Sequence, residues 1–140
     1  MKIGNWHKPW NHELEQDLNK DEKAKIAKLA WAEQKHTINE IGSTYTIQGF
    51  DLNYSGVILG PSVQYRNGQI TFNPDKSYNT KATRNRTLSD GTLRKFGKEL
   101  LRHELRILMT RGINGLYIYA YDDELRTVSY THLTLPTIRL

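Results

Sequence analysis

The 140-residue chain contains no cysteine, which excludes disulfide bonds and thiolate-bound metal ions. It has no apolar run approaching the ~20 residues that a membrane-spanning helix needs. No apolar stretch follows the first lysine, so the N-terminus lacks the pattern of a secretory leader. These absences predict a protein of the cytoplasm. The 37% hydrophobic and 25% charged residues have the ordinary balance of one globular domain.

Two patterns that nucleotide hydrolysis uses are also missing. The chain has no Gly-x-x-x-x-Gly-Lys-Ser/Thr loop, whose backbone N–H groups would hold the phosphates of a nucleotide. No predicted strand ends in the paired acidic residues that would hold a magnesium ion. We therefore predict no metal site, and the chain alone is not expected to hydrolyse a nucleotide.

The net charge of +5 is unevenly distributed along the chain. The segment from Lys76 to Arg111 holds ten lysines and arginines against three acidic residues, a balance of +7 that leaves −2 for the rest. A basic block in an otherwise near-neutral domain indicates a polyanion partner, most plausibly nucleic acid or nucleotide phosphate. A basic face that meets only solvent is the alternative, and the block alone does not decide between the two.

The end of the chain differs in character from the segment before it. Residues 128–137 read Val-Ser-Tyr-Thr-His-Leu-Thr-Leu-Pro-Thr, without helical or strand periodicity, and look like a translated sequencing adapter. We therefore expect residues 1–127 to be the domain and residues 128–140 to be a non-native tail. The natural protein would then continue past Arg126. A native strand is the alternative, because these residue types favour strands.

The order of predicted elements favours an α/β sheet with crossover connections. Helices are predicted from apolar residues at three- and four-residue spacing, and strands from short apolar or β-branched runs. Asn67-Gly68 between two such runs predicts a hairpin. The elements are a helix over residues 13–33, strands over 41–47 and 56–60, a hairpin over 63–72, a loop over 73–90, a helix over 92–110 capped by Ser89-Asp90, a strand over 116–120 and a helical pattern over 122–126.

Two segments carry most of the functional information. Residues 41–54 read Ile-Gly-Ser-Thr-Tyr-Thr-Ile-Gln-Gly-Phe-Asp-Leu-Asn-Tyr, and residues 108–115 read Leu-Met-Thr-Arg-Gly-Ile-Asn-Gly. Together they resemble motifs V and VI of superfamily 1 helicases. The closer resemblance is to the Schlafen group 3-like DNA/RNA helicase domain of uncharacterised bacterial ATPases, over about residues 3–126. Both strings in this order are specific, whereas a lone Thr-Arg or Gln-Gly pair would mean little.

The resemblance implies a truncated C-terminal, RecA-like helicase lobe of the P-loop NTPase type. Its sheet would be mainly parallel, flanked by helices, with a hairpin insertion. Arg111 would be the arginine finger, since a guanidinium stays charged and stabilises the negative charge that develops on the γ-phosphate. A surface arginine that stabilises the helix C-terminus is the alternative role of this residue. Thr110 would accompany Arg111 in the nucleotide site.

The first segment would couple nucleic acid to the nucleotide cleft through Thr46, Gln48 and Gly49. We expect Gln48 and Gly49 to follow a strand, at the carboxyl edge where open α/β sheets bind ligands. Asp51 stands where these helicases usually carry glutamate, a group that can accept hydrogen bonds from the ribose. The basic residues Lys81, Arg84 and Arg86 in the predicted loop are weaker candidates for phosphate contacts, and His103 and Glu104 are expected to be solvated.

By the same resemblance, the full-length protein would bind ATP with Mg²⁺, and this chain alone would bind neither. The partners would be DNA or RNA and a missing N-terminal RecA-like lobe of the same protein, with no membrane. The competing hypothesis is a non-catalytic module that binds nucleic acid through its basic block. Such a module would show salt-sensitive binding that nucleotide does not affect.

Overall fold

Two segments far apart in sequence lie side by side as parallel strands. The computed structural model describes residues 1–3 and 5–133, with side chains for residues 1–3, 5–80 and 83–130. The strands are β1 (Lys2–Ile3), β2 (Trp6–His7), β3 (Leu52–Leu59), β4 (Val63–Arg66), β5 (Gln69–Phe72), β6 (Arg86–Thr87), β7 (Leu93–Arg94) and β8 (Gly112–Ala120). The helices are α1 (Lys20–Ile26), α2 (Thr44–Ile47), α3 (Thr80–Thr83), α4 (Gly97–Met109) and α5 (Asp123–Leu133).

The predicted α/β class is confirmed. Strands β3 and β8 pair in parallel, and the other described strands form three antiparallel pairs, β1–β2, β4–β5 and β6–β7. Short 3-10 turns supplement the helices at Leu14–Asp17, Trp31–Glu33, Lys35–Asn39 and Pro74–Lys76. Within the described ranges, no helix has the length and apolar character to cross a membrane.

The core lies on one face of the β3–β8 pair. Side chains alternate between the two faces of a strand, so every second residue of β3 and its partner in β8 point the same way. Leu105 and Leu108 of α4 and Leu125 of α5 pack against this inner face. The inner-face residues are Ser55, Val57 and Leu59, opposite Leu116, Ile118 and Ala120.

The outer face of the same pair is largely open. Tyr54 and Tyr117 on this face are 64% and 70% exposed. Gly56, the cross-strand partner of Tyr117, would have open space around an added Cβ. Parallel strands are usually covered on both faces. In the part of the chain that the structure describes, only the inner face therefore contributes to the apolar core.

The predicted hairpin over residues 63–72 is confirmed. Strands β4 and β5 pair from Val63–Phe72 to Arg66–Gln69, which leaves Asn67 and Gly68 as the two turn residues. Both have positive φ, 53° and 80°, as the turn that joins two twisted antiparallel strands requires. Asparagine and glycine are the residues that tolerate this conformation best, so the sequence signal was sufficient here.

Asp122 fastens this hairpin to the end of β8 and to α5. Its two carboxylate oxygens accept hydrogen bonds from Nη1 and Nη2 of Arg66, at 3.0 and 2.7 Å. Oδ1 also accepts from the backbone N–H groups of Tyr65 and of Leu125, in the first turn of α5. These contacts, the Arg66 hydrogen bond foremost, lower the pKa of Asp122 to about 2. The carboxylate thus holds three elements together in its ionised form.

The helix predicted over residues 13–33 is wrong in extent. Only Lys20–Ile26 is α-helical, and the backbone is extended at Leu18 and at Ala30. The interruption follows from local capping. The Asn19 side chain accepts from the Glu22 N–H at 2.9 Å, and the Glu22 carboxylate accepts from the Asn19 N–H at 3.0 Å, so a new helix begins there.

The strand predicted over residues 41–47 is also wrong, because Thr44–Ile47 is helical. Ser43 caps this helix: its Oγ accepts from the Tyr45 N–H at 3.3 Å, and its own N–H donates to Thr46 Oγ1 at 2.9 Å. Asn11 also bonds Ser43, through both its amide nitrogen and its amide oxygen. These side-chain hydrogen bonds override the strand preference of the β-branched residues.

Differences of extent occur in the second half of the chain. The predicted loop over residues 73–90 contains α3 and β6, and α4 begins at Gly97 instead of residue 92. Asp90 does not cap α4. Its Oδ1 accepts from the Thr92 N–H at 2.9 Å, which makes residues 88–92 the turn between β6 and β7. Strands β3 and β8 both begin four residues before the predicted position.

The predicted tail begins inside α5. This helix continues from Asp123 through Val128 to Leu133, so the boundary expected at residue 127 does not coincide with its end. Residues 134–140 lie outside the described residues. The non-native origin of residues 128–140 stays a prediction.

Replacing Asp122 by alanine should lower the free energy of unfolding by about 2 kcal/mol, because a helix cap and a nearly buried bidentate ion pair are lost together. The pKa of this carboxyl is lowered in the folded state, so its contribution is present above about pH 4 and disappears as the pH falls toward 2. Denaturant unfolding at neutral and acidic pH measures both effects.

Asp123→Ala is the matched control. The Asp123 side chain is 92% exposed and pairs only with Arg126 of the same helix, at 3.1 Å. Its replacement should change the unfolding free energy by no more than about 0.5 kcal/mol. Equal losses in the two variants would show that the Asp122 contacts do not hold the hairpin.

Candidate functional site

The two segments that resemble helicase motifs meet at the amino-terminal edge of the parallel strands. Asp51 immediately precedes β3, and Arg111 immediately precedes β8. The Leu52 N–H donates to the Arg111 carbonyl at 2.8 Å, which continues the strand pairing to this edge. Arg111 Nη1 lies 3.3 Å from Asp51 Oδ1, so an ion pair joins the two segments.

The sheet edge differs from the predicted one. Gln48 and Gly49 do not follow a strand. They follow the short helix α2 and precede β3, so they lie toward its amino end and not at a carboxyl edge. The prediction failed because it assigned residues 41–47 to a strand. Since parallel strands begin at the same edge, Gln48 and Gly49 nevertheless lie on the side of the sheet from which Arg111 enters β8.

The Arg111 side chain folds back over the C-terminus of α4. Nε donates to the Ile107 carbonyl at 3.1 Å and Nη2 donates to Thr110 Oγ1 at 3.2 Å, while Nη1 faces Asp51. The Arg111 side chain is 20% exposed, and that of Asp51 is 63% exposed. A cation at this end of a helix interacts favourably with its dipole. In this conformation Arg111 has the helix-stabilising role, with one side of the ion pair open to solvent.

A bulge at the start of β8 determines the backbone conformation next to Arg111. Three residues of β3, from Leu52 to Tyr54, match four residues of β8, from Gly112 to Gly115. A Cβ on Gly112 would lie 2.3 Å from the Gly115 carbonyl oxygen, which no side chain can tolerate. The sequence predicted a strand only over residues 116–120, whereas Gly112 and Gly115 also lie within β8. Bulges commonly redirect the chain next to functional sites.

The residues of the first segment differ in whether a ligand can reach them. Thr46 Oγ1 is occupied in the cap of α2, where it also donates to the Ser43 carbonyl at 2.9 Å. Gln48 and Gly49 are exposed. Gly49 has φ +81° and nothing within 4 Å of an added Cβ, so its backbone conformation and not crowding requires glycine. The exposed Gln48-Gly49 turn is therefore the accessible part of this segment.

Glu104 links α4 to the helix that precedes this turn. Its Oε1 accepts from Thr44 Oγ1 at 3.4 Å and from the Asn79 amide. Burial raises the pKa of Glu104, although both hydrogen bonds act in the opposite direction. The side chain of Glu104 was predicted to be solvated, which is wrong. The signal was present, because Leu101, Glu104 and Leu108 share one helical face.

Glu104 also lines a cleft of about 740 Å³ that runs along β3. Trp10 and Trp31 line the same cleft, together with Gly42, Ser43 and Tyr78. Both apolar and hydrogen-bonding side chains line the cleft. None of the described residues forms a cluster of three or more His, Cys, Asp or Glu side chains that could hold a metal ion.

The predicted nucleic-acid residues lie away from Arg111. Arg86 is in β6 and Arg84 precedes it, and both residues are exposed. This segment follows Thr83, whose backbone approaches Gly97 at the N-terminus of α4. The thirteen residues of α4 separate this end from the Arg111 end by about 20 Å. The side chain of Lys81 lies outside the described residues. The structure therefore brings Asp51, Thr110 and Arg111 together and leaves the basic residues at a second location.

Glu104→Gln keeps the acceptor oxygen and removes the charge. Because the raised pKa means that the folded state disfavours the ionised form, the wild type loses stability as the pH rises through this pKa. The variant should therefore unfold at the same or a higher temperature than the wild type at pH 7. Below about pH 4, where both side chains are neutral, the difference should disappear.

Glu99→Gln, on the exposed side of the same helix, is the control, and as a surface substitution it should change the unfolding temperature at pH 7 little. Thermal unfolding followed by circular dichroism across this pH range measures both variants. A Glu104→Gln variant that is less stable at pH 7, and equal to the wild type in acid, would show that the carboxylate is favoured in its ionised form.

Comparison with known proteins agrees with the two motif-like segments. Residues 1–122 match the family described as Schlafen group 3, DNA/RNA helicase domain. The chain is 44% identical over 98 residues to "Uncharacterized protein YPL245W" of Saccharomyces cerevisiae. This alignment covers 69% of the chain and 21% of the yeast protein, so the chain spans about a fifth of its relative. No solved structure matches. The chain therefore belongs to the Schlafen group 3 DNA/RNA helicase domain family.

Proposed function

We propose that the chain is the second, RecA-like lobe of an ATP-dependent DNA or RNA helicase, with Arg111 as its arginine finger. ATP and Mg²⁺ bind to a separate lobe of the same protein, and closure of the lobes brings the γ-phosphate to Arg111. The observation that supports this most is the Arg111–Asp51 ion pair, because it joins both helicase-like segments at one sheet edge. Membership of a helicase domain family supports the same assignment.

The contacts of Arg111 are weak enough to be exchanged for a phosphate. An ion pair with an exposed carboxylate contributes about 0–1 kcal/mol, and each hydrogen bond contributes about 1 kcal/mol. An arginine finger accelerates phosphoryl transfer by about 10³–10⁵, which corresponds to roughly 4–7 kcal/mol of transition-state stabilisation. The free energy needed to turn the guanidinium outward is therefore smaller than the stabilisation that it would give to the transition state.

In the proposed mechanism, Asp51 holds Arg111 at the sheet edge until the nucleotide arrives. Release of Arg111 would free the Asp51 carboxylate to accept a hydrogen bond from the ribose. Thr110 Oγ1 accepts a hydrogen bond from Nη2 of Arg111, so movement of the guanidinium would break this contact. Because only Phe50 separates the Gln48-Gly49 turn from Asp51 along the chain, a change at the ion pair would reach this exposed turn through neighbouring residues.

The nucleic-acid strand contacts this lobe in two places in the proposal. Thr46, Gln48 and Gly49 couple the strand to the nucleotide cleft, and the exposed turn formed by the last two supports this role. Arg84 and Arg86, with Lys81 beside them in sequence, supply phosphate contacts near the other end of α4. The exposed positions of the two arginines support such contacts, because a phosphate can reach them without any rearrangement.

A non-catalytic nucleic-acid-binding module is the second candidate function. The folded-back conformation of Arg111 favours it, since the guanidinium already has partners within the chain. The two functions differ in their response to nucleotide. Oligonucleotide binding by the parent protein should change with ATP if the lobe belongs to a helicase, and should not change if it is an independent module.

In the parent polypeptide that joins this domain to a nucleotide-binding lobe, Arg111→Ala should lower kcat for nucleic-acid-stimulated ATP hydrolysis by about 10³-fold. The KM for ATP should change only a few fold, because the finger acts mainly in the transition state. Arg111→Lys should recover little of the rate, since lysine lacks the planar fork of donors. Steady-state phosphate release measures all three proteins.

Arg126→Ala is the matched control, because Arg126 lies at the opposite edge of the sheet and donates to the Ala120 and Tyr121 carbonyls. At a temperature where it stays folded, this variant should retain the parent kcat. If Arg111→Ala and the parent hydrolysed ATP at equal rates, Arg111 would not be an arginine finger. A parent polypeptide without a phosphate-binding loop would overturn the ATPase proposal altogether.

A further inference from the structure

A row of exposed cations runs from the β6–β7 hairpin along α4. We name it the basic ridge, and its six members are Arg86, Arg94, Lys95, Lys98, Arg102 and Arg106. All six are exposed, and none forms an ion pair with a carboxylate in the described part of the chain. All six belong to the basic block from Lys76 to Arg111, but only Arg86 was among the residues predicted to contact phosphate, so five are new candidates. The ridge is thus a set of exposed cations without ion-pair partners among the described residues.

The hairpin end of the ridge places two like charges face to face. Arg86 and Arg94 are direct cross-strand partners in the antiparallel register of β6 and β7. Opposite charges stabilise such a pair, and like charges directly opposite each other destabilise it. Asp90 in the connecting turn accepts two hydrogen bonds from Thr92 and forms no ion pair with either arginine among the described contacts.

The helical end of the ridge repeats the same charge at regular intervals. Lys98, Arg102 and Arg106 are four residues apart, so they lie near one another on the exposed side of α4. Each step advances about 6 Å along the helix axis. One strand of B-DNA has a phosphate about every 3.4 Å along its axis, so each of these cations can reach a different phosphate.

Two aromatic rings orient the arginines of the ridge. The Arg102 guanidinium lies 5.9 Å from the centre of the Phe72 ring in β5, and that of Arg94 lies 5.2 Å from the Phe96 ring. A guanidinium against an aromatic face keeps its N–H groups free to donate in the plane of the group. These contacts therefore orient the side chains without neutralising their charge.

We propose that the basic ridge binds the phosphodiester backbone of a nucleic-acid strand along α4. The evenly spaced cations Lys98, Arg102 and Arg106 of α4 complement a linear polymer of evenly spaced anions. A membrane surface would need a broad apolar face beside the charges, whereas Leu93 is the only large apolar side chain exposed within the segment that forms the ridge. This inference rests on the proposed function and deepens it, since it names the surface that meets the nucleic acid.

The test is the salt dependence of oligonucleotide binding by the full chain, measured by fluorescence anisotropy with labelled oligo(dT) and oligo(U) and without nucleotide. Lys98→Gln, Arg102→Gln and Arg106→Gln together remove three cations. They should weaken binding about tenfold or more, and lower the slope of log K against log salt by about 2 for a single strand. The charge-preserving set Lys98→Arg, Arg102→Lys and Arg106→Lys should keep both values.

The matched control removes three exposed lysines around α1, by Lys20→Gln, Lys25→Gln and Lys28→Gln, with the same change in net charge. An equal loss in this control, or no loss in the ridge variant, would overturn the ridge. Ridge-dependent binding to vesicles of anionic lipid, without oligonucleotide binding, would overturn it in favour of a membrane. The ridge is tested by oligonucleotide binding to this chain without nucleotide, and the arginine finger is tested by ATP hydrolysis in the parent polypeptide, so failure of the ridge and failure of the arginine finger give different results.

Discussion

The parallel pairing of β3 and β8 is the constraint on which the rest of the structure depends. Because parallel strands begin at the same edge, the two chain segments that precede them must meet there, whatever their separation in sequence. This is how Asp51 and Arg111 come into contact. The same pairing generates the inner apolar face against which α4 and α5 pack. Core and candidate site are therefore two results of one strand register.

Helix α4 lies between the ion pair of Arg111 and the basic hairpin of β6 and β7. Its C-terminus holds Arg111 through the Ile107 carbonyl, and its N-terminus continues from the basic hairpin of β6 and β7. Between them, Glu104 bonds Thr44 at the start of α2. The proposed phosphate contacts and the proposed nucleotide site would therefore lie at opposite ends of one helix.

Local signals in the sequence were reliable where the backbone chemistry is local. The Asn67-Gly68 hairpin was predicted correctly because two residues with positive φ determine the turn. The strand predicted over residues 41–47 failed because hydrogen bonds from Asn11 and within the Ser43 cap outweigh strand preference, and the Asn11 contact is distant in sequence. That error moved Gln48 to the wrong sheet edge. Glu104 was missed because its partner Asn79 lies in a segment that was read as loop.

The separation of β3 and β8 along the chain also has a kinetic consequence. Their register pairs Leu52 with Gly112, so the central sheet forms only after the intervening segment has closed into a loop of roughly 60 residues. Contacts of such long range form slowly, whereas the β4–β5 turn and the helix α4 need only neighbouring residues. During synthesis, the site at the sheet edge is therefore assembled late, once β8 has left the ribosome and docked beside a strand made well before it.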